Sequence, residues 1–163
     1  MRIFKILFVL GLMATVSACG KFQRYNGPEV TQIVVNKGAR QMYLLHHGEV
    51  LKSYDIGLGF APAGDKTIHG DGKTPEGDYF IDRRNPESQF YLSLGISYPN
   101  ESDRAEARAL GKSPGGDIFI HGRPWKYRKG GQDWTAGCIA VTNSEMREVY
   151  SMVRTGTPIR INP

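Results

Sequence analysis

The sequence has little cysteine: Cys19 and Cys138 are the two thiols in 163 residues. Two cysteines cannot form the disulfide framework of a small secreted scaffold. Cys-x-x-Cys and His-Glu-x-x-His spacings, which often hold zinc, are absent. His46, His47 and His69 could suggest a metal site, but neighbouring strand residues point to opposite faces, so His46 and His47 are not expected to share one ion. We therefore predict no metal and no other cofactor.

The chain also lacks a recognisable nucleic-acid-binding motif and a strong excess of charge. Its formal net charge is +5, of which Arg2 and Lys5 supply two. A modest positive charge suits an acidic polymer nearby, but it does not indicate DNA or RNA as a partner. At 163 residues with 40% hydrophobic content, the chain fits a single domain with one packed core.

No apolar run reaches the roughly 20 residues that a membrane-spanning helix needs. The longest one, from Ile6 to Ala14, follows Arg2 and Lys5 and is followed by small residues. This layout is typical of a signal peptide, which we place at residues 1–18. A buried N-terminal helix is the alternative interpretation.

The end of this leader, Val16-Ser17-Ala18-Cys19, resembles the lipobox of bacterial lipoproteins, although Leu is commoner than Val at its first position. The resemblance implies that Cys19 is acylated and anchors the protein in a membrane. Residue Gly20 follows where an Asp would favour inner-membrane retention. We therefore expect an exported protein facing the periplasm, with an outer-membrane anchor and a tether over residues 19–29.

The rest of the chain has the pattern of a mostly β domain over residues 30–162. Predicted strands cover 32–35, 41–45, 50–56, 79–81, 90–96, 118–120 and 158–161. One predicted helix covers 102–110, and a second follows the capping-box residues Thr142 and Glu145. A glycine-rich loop occupies residues 61–78, and long loops in compact domains often carry function.

Cys138 is the residue that most directly suggests chemistry. If Cys19 is acylated, Cys138 is left as a lone thiol in an oxidising compartment, where it is either a small buried apolar residue or a nucleophile. A nucleophilic thiol needs a base or a cation beside it. His121, next to Gly122 at the end of a predicted strand, is a suitable base.

These residues together resemble a known family. The sequence His121-Gly122, a basic loop, and then Thr-x-Gly-Cys-Ile is similar to the signature of the L,D-transpeptidase catalytic domain, also called YkuD. The segment from Gly72 to Tyr79 is similar to the same family's loop-to-strand motif. The resemblance covers roughly residues 30–162. It implies a β-sandwich or barrel with two short helices, and activity on peptidoglycan stem peptides without a cofactor or an obligate protein partner.

The resemblance also implies roles for individual residues. Cys138 attacks the stem-peptide carbonyl, and His121 is the proton donor and acceptor. A backbone carbonyl, of either Thr135 or Gly122, orients the imidazole. The oxyanion is held by backbone N–H groups around Gly137 and Cys138.

Two positions depart from the common family pattern. The sequence has Ala136 where His is usual, and Ala140 where Arg or Asn is frequent. The loss of that Arg removes a candidate anchor for a substrate carboxylate. Four basic residues could replace it: Arg123, Lys126, Arg128 and Lys129. The two tryptophans, Trp125 and Trp134, could line the groove or pack in the core.

Three functions remain open at this point. The leading hypothesis is a transpeptidase that passes the acyl group to an amine, and the alternative is a carboxypeptidase or endopeptidase that passes it to water. It could also be a lipoprotein that binds the cell wall without catalysis. Retention of both Cys138 and His121 favours the two enzymes.

Overall fold

The computed structural model describes residues 20–127 and 133–163, apart from the side chain of Trp125. The strands are β1 (Gln32–Asn36), β2 (Gln41–His46), β3 (Glu49–Asp55), β4 (Gly77–Asn85), β5 (Ser93–Ile96), β6 (Phe119–His121), β7 (Ile139–Ala140) and β8 (Pro158–Asn162). The helices are α1 (Glu101–Ala109) and α2 (Asn143–Met152), with a single 3₁₀ turn at Trp125–Tyr127. This confirms the expected β-rich domain with two short helices.

The eight described strands form one sheet in the order β3-β2-β1-β8-β4-β5-β6-β7. The pairs β1–β8 and β6–β7 are parallel, and the other neighbours are antiparallel. The segment that follows β3 returns to the opposite edge of the sheet, beside β7. There Gly57 pairs with Ala140, and Gly59 pairs with Thr135. The sheet is therefore curled into a half-barrel, rather than forming two separate layers.

Alternating apolar side chains explain why the first hairpin packs as it does. In β1 the side chains of Ile33 and Val35 are buried, and in β2 those of Met42 and Leu44 are buried. Residues two apart on a strand share a face, so both strands turn one apolar face to the interior. The same core receives α2 through Met146 and Val149. A single continuous core results.

Local hydrogen bonds determine where both helices begin. Thr142 and Glu145 form the predicted capping box at the start of α2. Asn100 and Asp103 form an equivalent capping box at α1. The Asp103 carboxylate therefore accepts a backbone N–H of Asn100 as well as interacting with the helix dipole. Neither described helix has the length and apolar character needed to cross a membrane.

Two strands differ from the sequence-based expectations. Strand β4 extends to Asn85 rather than ending near residue 81, because its second half pairs with β5. The two-residue strand β7 was not predicted, since it is too short to show periodicity. The described part of the predicted tether, residues 20–29, is irregular, and its Lys21 Nζ donates to the carbonyl oxygen of Pro86 at 2.5 Å.

Candidate active site

The chain enters β7 through a tight turn that presents Cys138. Gly137 has a φ of 137°, and a Cβ at this position would lie 2.6 Å from the carbonyl oxygen of Lys73. A side chain is therefore excluded by backbone conformation and by the glycine-rich loop beneath. Thr135 Oγ1 donates to the carbonyl oxygen of Cys138 at 2.7 Å and accepts from the N–H of Gly137 at 3.1 Å. These bonds hold the turn in one conformation.

His121 ends β6, and its ring is fixed by its own backbone neighbour. Nδ1 lies 2.7 Å from the carbonyl oxygen of Gly122. A carbonyl oxygen only accepts, so the hydrogen bond assigns the proton to Nδ1 and leaves Nε2 as a base. Residue 122 must be glycine, because a Cβ would lie 2.3 Å from Asn143 Oδ1 and 2.7 Å from the carbonyl oxygen of Phe90.

This geometry distinguishes between the two residues expected to orient the imidazole. Gly122 supplies the acceptor. The carbonyl oxygen of Thr135 instead accepts from the N–H of Phe60 at 2.8 Å, while its hydroxyl binds within the Cys138 turn. The expectation for Gly137 also needs correction, because its N–H is already engaged by Thr135 Oγ1 and is not free to bind an oxyanion.

The strand register brings Cys138 and His121 to the same face of the sheet. In the parallel pair β6–β7, Ile120 lies opposite Ile139 and His121 opposite Ala140. Cys138 immediately precedes Ile139, so it alternates to the same side as His121, away from the two buried isoleucines. Both side chains line one cavity of about 320 Å³. The other residues lining it are Asn85, Ser88, Gln89, Phe90, Ser93, Asp117 and Phe119.

Two aromatic rings pack against the imidazole of His121. Phe90 stacks on the imidazole with ring centroids 4.4 Å apart, and Trp134 meets it edge-on at 5.7 Å. Burial lowers the pKa of His121, and the nearby Arg123 guanidinium acts in the same direction, although the hydrogen bond to Gly122 raises it. The imidazole is therefore neutral at pH 7 and can accept a proton.

The thiol of Cys138 is also neutral in this arrangement. Burial raises its pKa, and the carboxylate of Asp117 adds to this effect, while a backbone hydrogen bond from Phe119 and the ammonium of Lys66 oppose it. The Sγ atom donates to the carbonyl oxygen of Asp117 at 3.6 Å. Asp117 reaches this position with a φ of 56°, in the left-handed region. The raised pKa of Cys138 and the lowered pKa of His121 together favour a neutral thiol and a neutral imidazole over an ion pair.

The basic residues expected to bind a substrate carboxylate are placed differently. Arg123 is 2% exposed, and its Nη2 donates to the carbonyl oxygens of Ala140 at 2.8 Å and Asp55 at 3.3 Å. It therefore ties the turn after β6 to neighbouring strands, which corrects its assignment as a substrate anchor. Lys126 is exposed, with Nζ 4.7 Å from the centre of the Tyr127 ring.

Trp134 does not line the cavity but packs behind His121. Its ring stacks on that of Tyr127 at 4.2 Å, with the planes inclined by 6°. It therefore supports the imidazole instead of contacting a ligand in the groove. Arg128, Lys129 and the side chain of Trp125 lie outside the described part of the structure.

The rings of His46 and His47, at the end of β2, lie closer together than those of neighbouring residues on a strand. His47 leaves the strand with a φ of 47°, so its ring lies 4.4 Å from that of His46 instead of on the opposite face. His69 lies apart from them, in the wall of a cavity beside Cys138. Within the described residues, no three His, Cys, Asp or Glu side chains are grouped to hold a metal ion.

Sequence reasoning missed several residues at this site, including Phe90, Asp117, Ser93 and Lys66. None of them belongs to the Cys138 or His121 motif in sequence. They reach the site through the pairing of β5 with β6 and through the course of the glycine-rich loop. The one usable signal was the loop itself, whose length and glycine content suggested a functional role.

Comparisons with known proteins agree with this architecture. The family model of the YkuD L,D-transpeptidase catalytic domain matches residues 30–161. Over 137 residues, the chain is 30% identical to YafK of Escherichia coli (strain K12), for which L,D-transpeptidase activity is proposed. That match covers 82% of this chain and 50% of YafK, so the chain spans about half the length of the curated relatives it matches.

Solved structures show the same fold. The helical cell shape determining protein Pgp2 from Campylobacter jejuni is 28% identical, with a TM-score of 0.62, over 84% of this chain and 49% of Pgp2. An L,D-transpeptidase from Mycobacterium smegmatis has a TM-score of 0.57 at 17% identity, over 82% of this chain and 59% of that one. With the family model matching most of its length, the chain belongs to the YkuD family of L,D-transpeptidase catalytic domains.

Proposed function

We propose that this protein transfers acyl groups of peptidoglycan stem peptides through a thioester at Cys138, with His121 as the proton donor and acceptor. The observation that carries the proposal is the placement of both side chains on one face of β6–β7, in the wall of one cavity. Membership of the family supports the substrate class.

The neutral resting pair determines how the first half of the reaction would run. As Sγ of Cys138 attacks the stem-peptide carbonyl carbon, the thiol proton passes to Nε2 of His121 and an S–C bond forms. The C–N bond of the peptide then breaks, and the imidazolium returns the proton to the leaving amine. The products of this half are a thioester and a free D-residue.

The second half reverses the proton transfers. An acceptor amine attacks the thioester carbonyl, His121 removes its proton, and the C–S bond breaks. The departing sulfur takes the proton back from the imidazolium, so thiol and base are regenerated. Since the N–H of Gly137 is used by Thr135, we assign the backbone N–H of Cys138 as the donor to the oxyanion in both halves.

Hydrolysis is the second candidate function, and the polar side chains in the cavity wall support it. Besides Cys138 and His121, the wall carries the neutral polar side chains Asn85, Ser88, Gln89 and Ser93. Such groups bind water as readily as an amine. The catalytic roles of Cys138 and His121 are the same with either acceptor, so the products must distinguish the two reactions.

Product analysis tests both reactions. The full-length protein in detergent and its Cys138→Ala variant are incubated with disaccharide-tetrapeptide, and the products are identified by mass spectrometry. We expect a cross-linked dimer that forms with the wild type and not with the variant. A shortened monomer that depends on Cys138 would instead establish hydrolysis. Absence of any Cys138-dependent product would refute both reactions and favour a wall-binding protein.

We further propose that the protein is exported and held at a membrane through acylated Cys19, a residue outside the described part of the chain. The lipobox-like sequence before it supports the proposal. We expect wild-type protein in the membrane fraction with the mass of an acylated chain, and Cys19→Ser in the soluble fraction or with its leader retained. Equal membrane association and equal mass of the mature chains would contradict the proposal.

A further inference from the structure

An ion pair joins the turn after β1 to the chain segment that leads to Cys138. Nε of Arg40 lies 3.1 Å from both carboxylate oxygens of Asp133, and Nη2 donates to Oδ2 at 2.8 Å. The two side chains are 31% and 18% exposed, so solvent screens this pair less than it screens a fully exposed one. Neither residue lines the cavity that has Cys138 and His121 in its wall. Any effect of the ion pair on chemistry must therefore pass through its neighbours.

Asp133 also fixes its own segment to the stretch of chain that follows β3. Its Oδ1 accepts from the backbone N–H of Leu58 at 2.9 Å. The carbonyl oxygen of Leu58 accepts in turn from the N–H groups of Trp134 and Thr135, each at 3.1 Å. Residues 133–135 are therefore held by a carboxylate at one end and by backbone hydrogen bonds along the rest.

The two residues after Asp133 contact the thiol-bearing turn and the imidazole, one each. Trp134 meets the ring of His121 edge-on, with centroids 5.7 Å apart. Thr135 Oγ1 donates to the carbonyl oxygen of Cys138 at 2.7 Å. A shift of Asp133 would move both of these supports together, and it would thereby change the position of the sulfur relative to the base.

The turn that carries Arg40 is itself firmly held. Lys37, in the same turn, is 2% exposed. Its Nζ donates to the carbonyl oxygens of Gly64 at 2.6 Å and Thr74 at 2.9 Å, and to Glu76 Oε1 at 2.7 Å. These three bonds use every N–H of the ammonium. Nη1 of Arg40 donates to the carbonyl oxygen of Lys37, so the guanidinium extends from a turn that is tied to the glycine-rich loop.

The backbone of Arg40 also indicates a purpose for its side chain. Its φ is 54°, in the left-handed region that glycine and asparagine adopt more readily than arginine. Such a conformation persists where the surrounding contacts enforce it, and residues of this kind cluster at functional sites. The N–H of Arg40 donates to the carbonyl oxygen of Lys37 at 3.1 Å, and its carbonyl oxygen accepts from the N–H of Ile56 at 3.0 Å. Hydrogen bonds on both sides of the residue therefore hold the strained conformation.

We propose that Arg40 and Asp133 are positioning residues, which keep the sulfur of Cys138 within reach of the His121 imidazole. The inference rests on the proposed function, because a reaction that passes a proton between these two groups depends on their separation. Neither positioning residue lines the cavity, so the ion pair acts on the rate of the chemical step and not on substrate binding. A misplacement of about 1 Å, caused by a change far from the chemistry, can lower a rate by about 10²-fold.

The first test is Arg40→Asn in the full-length protein, because asparagine removes the guanidinium and tolerates the left-handed backbone. With disaccharide-tetrapeptide we expect kcat to fall by about 10-fold or more and KM to stay within about twofold. Thermal unfolding should stay close to that of the wild type, since the relieved backbone strain offsets the lost ion pair. Arg40→Lys, which keeps the charge but not the paired contacts, should retain part of the activity. The matched control is Arg160→Asn, which breaks a similar ion pair with Asp78 between β8 and β4 and should leave kcat unchanged.

A second set of variants tests whether the two residues act as a pair. Asp133→Asn removes the carboxylate charge but keeps an oxygen that can accept from Leu58. We expect it to lower kcat as Arg40→Asn does. The double variant Arg40→Asn/Asp133→Asn should be no slower than the slower single variant, because the second change then has no ion pair left to remove. Losses that multiply in the double variant would contradict a shared role.

Alkylation of Cys138 by iodoacetamide separates this inference from the proposed reaction, because it needs the thiol and its base but no peptide. The rate is followed on the Cys138 peptide by mass spectrometry. We expect His121→Asn to slow alkylation by about 10-fold or more in the wild-type background, and by about threefold or less in the Arg40→Asn background. If this coupling is found but no peptide is turned over, the positioning role stands while the proposed reaction fails. Equal effects of His121→Asn in the two backgrounds would overturn the inference.

Discussion

Replacing Cys138 with alanine is expected to abolish acyl-enzyme formation and to lower turnover of the donor by at least about 10⁴-fold, the scale on which enzymes lose activity without their nucleophile. The thioester cannot form without the sulfur, and no other thiol lies in the described residues. The measurement is the mass shift of the protein on mixing with a tetrapeptide donor, followed in time by rapid quench.

Cys138→Ser is the matched control for this prediction. A serine hydroxyl occupies almost the same volume and can bond to the carbonyl oxygen of Asp117, but it is far less acidic than a thiol. We expect thermal unfolding close to that of the wild type, because the side chain is not part of the apolar core. Turnover by Cys138→Ala at more than about a hundredth of the wild-type rate would exclude a thioester route.

Replacing His121 with asparagine is expected to lower kcat/KM for the donor by about 10²- to 10⁴-fold, the usual contribution of a general acid–base. In the proposed mechanism the thiol loses its proton to the imidazole during attack, because burial raises the pKa of Cys138 and lowers that of His121. Asparagine cannot accept that proton. His47→Asn, at an exposed turn outside the site, is the matched control and should retain wild-type activity.

The pH dependence of kcat/KM distinguishes loss of the base from a purely structural effect of His121→Asn. Only the neutral imidazole is a base, so wild-type kcat/KM should fall as the pH drops through the pKa of His121. Because burial lowers this pKa, the acid limb should lie below the ordinary imidazole range. We expect His121→Asn to lack that limb. An acid limb that stays in place in the variant would assign the titration to another group.

Much of the fold could be predicted because its signals are local. Alternation of apolar residues in β1 and β2 requires no knowledge of partners, and the capping residues Thr142 and Glu145 define the start of α2 within four positions. The two-residue strand β7 could not be found this way. Its existence depends on a parallel partner, β6, that is distant in sequence.

The assignment of Arg123 shows the limit of reading charges from sequence. A basic residue two positions after His121 was a reasonable carboxylate anchor, since arginine is rarely buried without partners. The curled sheet supplies such partners as backbone carbonyl oxygens, on Ala140 and Asp55. Their positions follow from strand pairing, which leaves no local trace in the sequence, so burial of this guanidinium was not predictable.

The sequence by itself pointed to the candidate reactive pair, because a thiol after Gly137 and a histidine before Gly122 are chemical features that do not depend on distant residues. Tertiary structure decided what surrounds that pair. The register of β6 against β7 places His121 and Cys138 on one face, and the glycine-rich loop brings Lys66 to the other side of the sulfur. The physical reason is that residue type sets what a side chain can do, while long-range packing sets its pKa, its neighbours and the space open to a substrate.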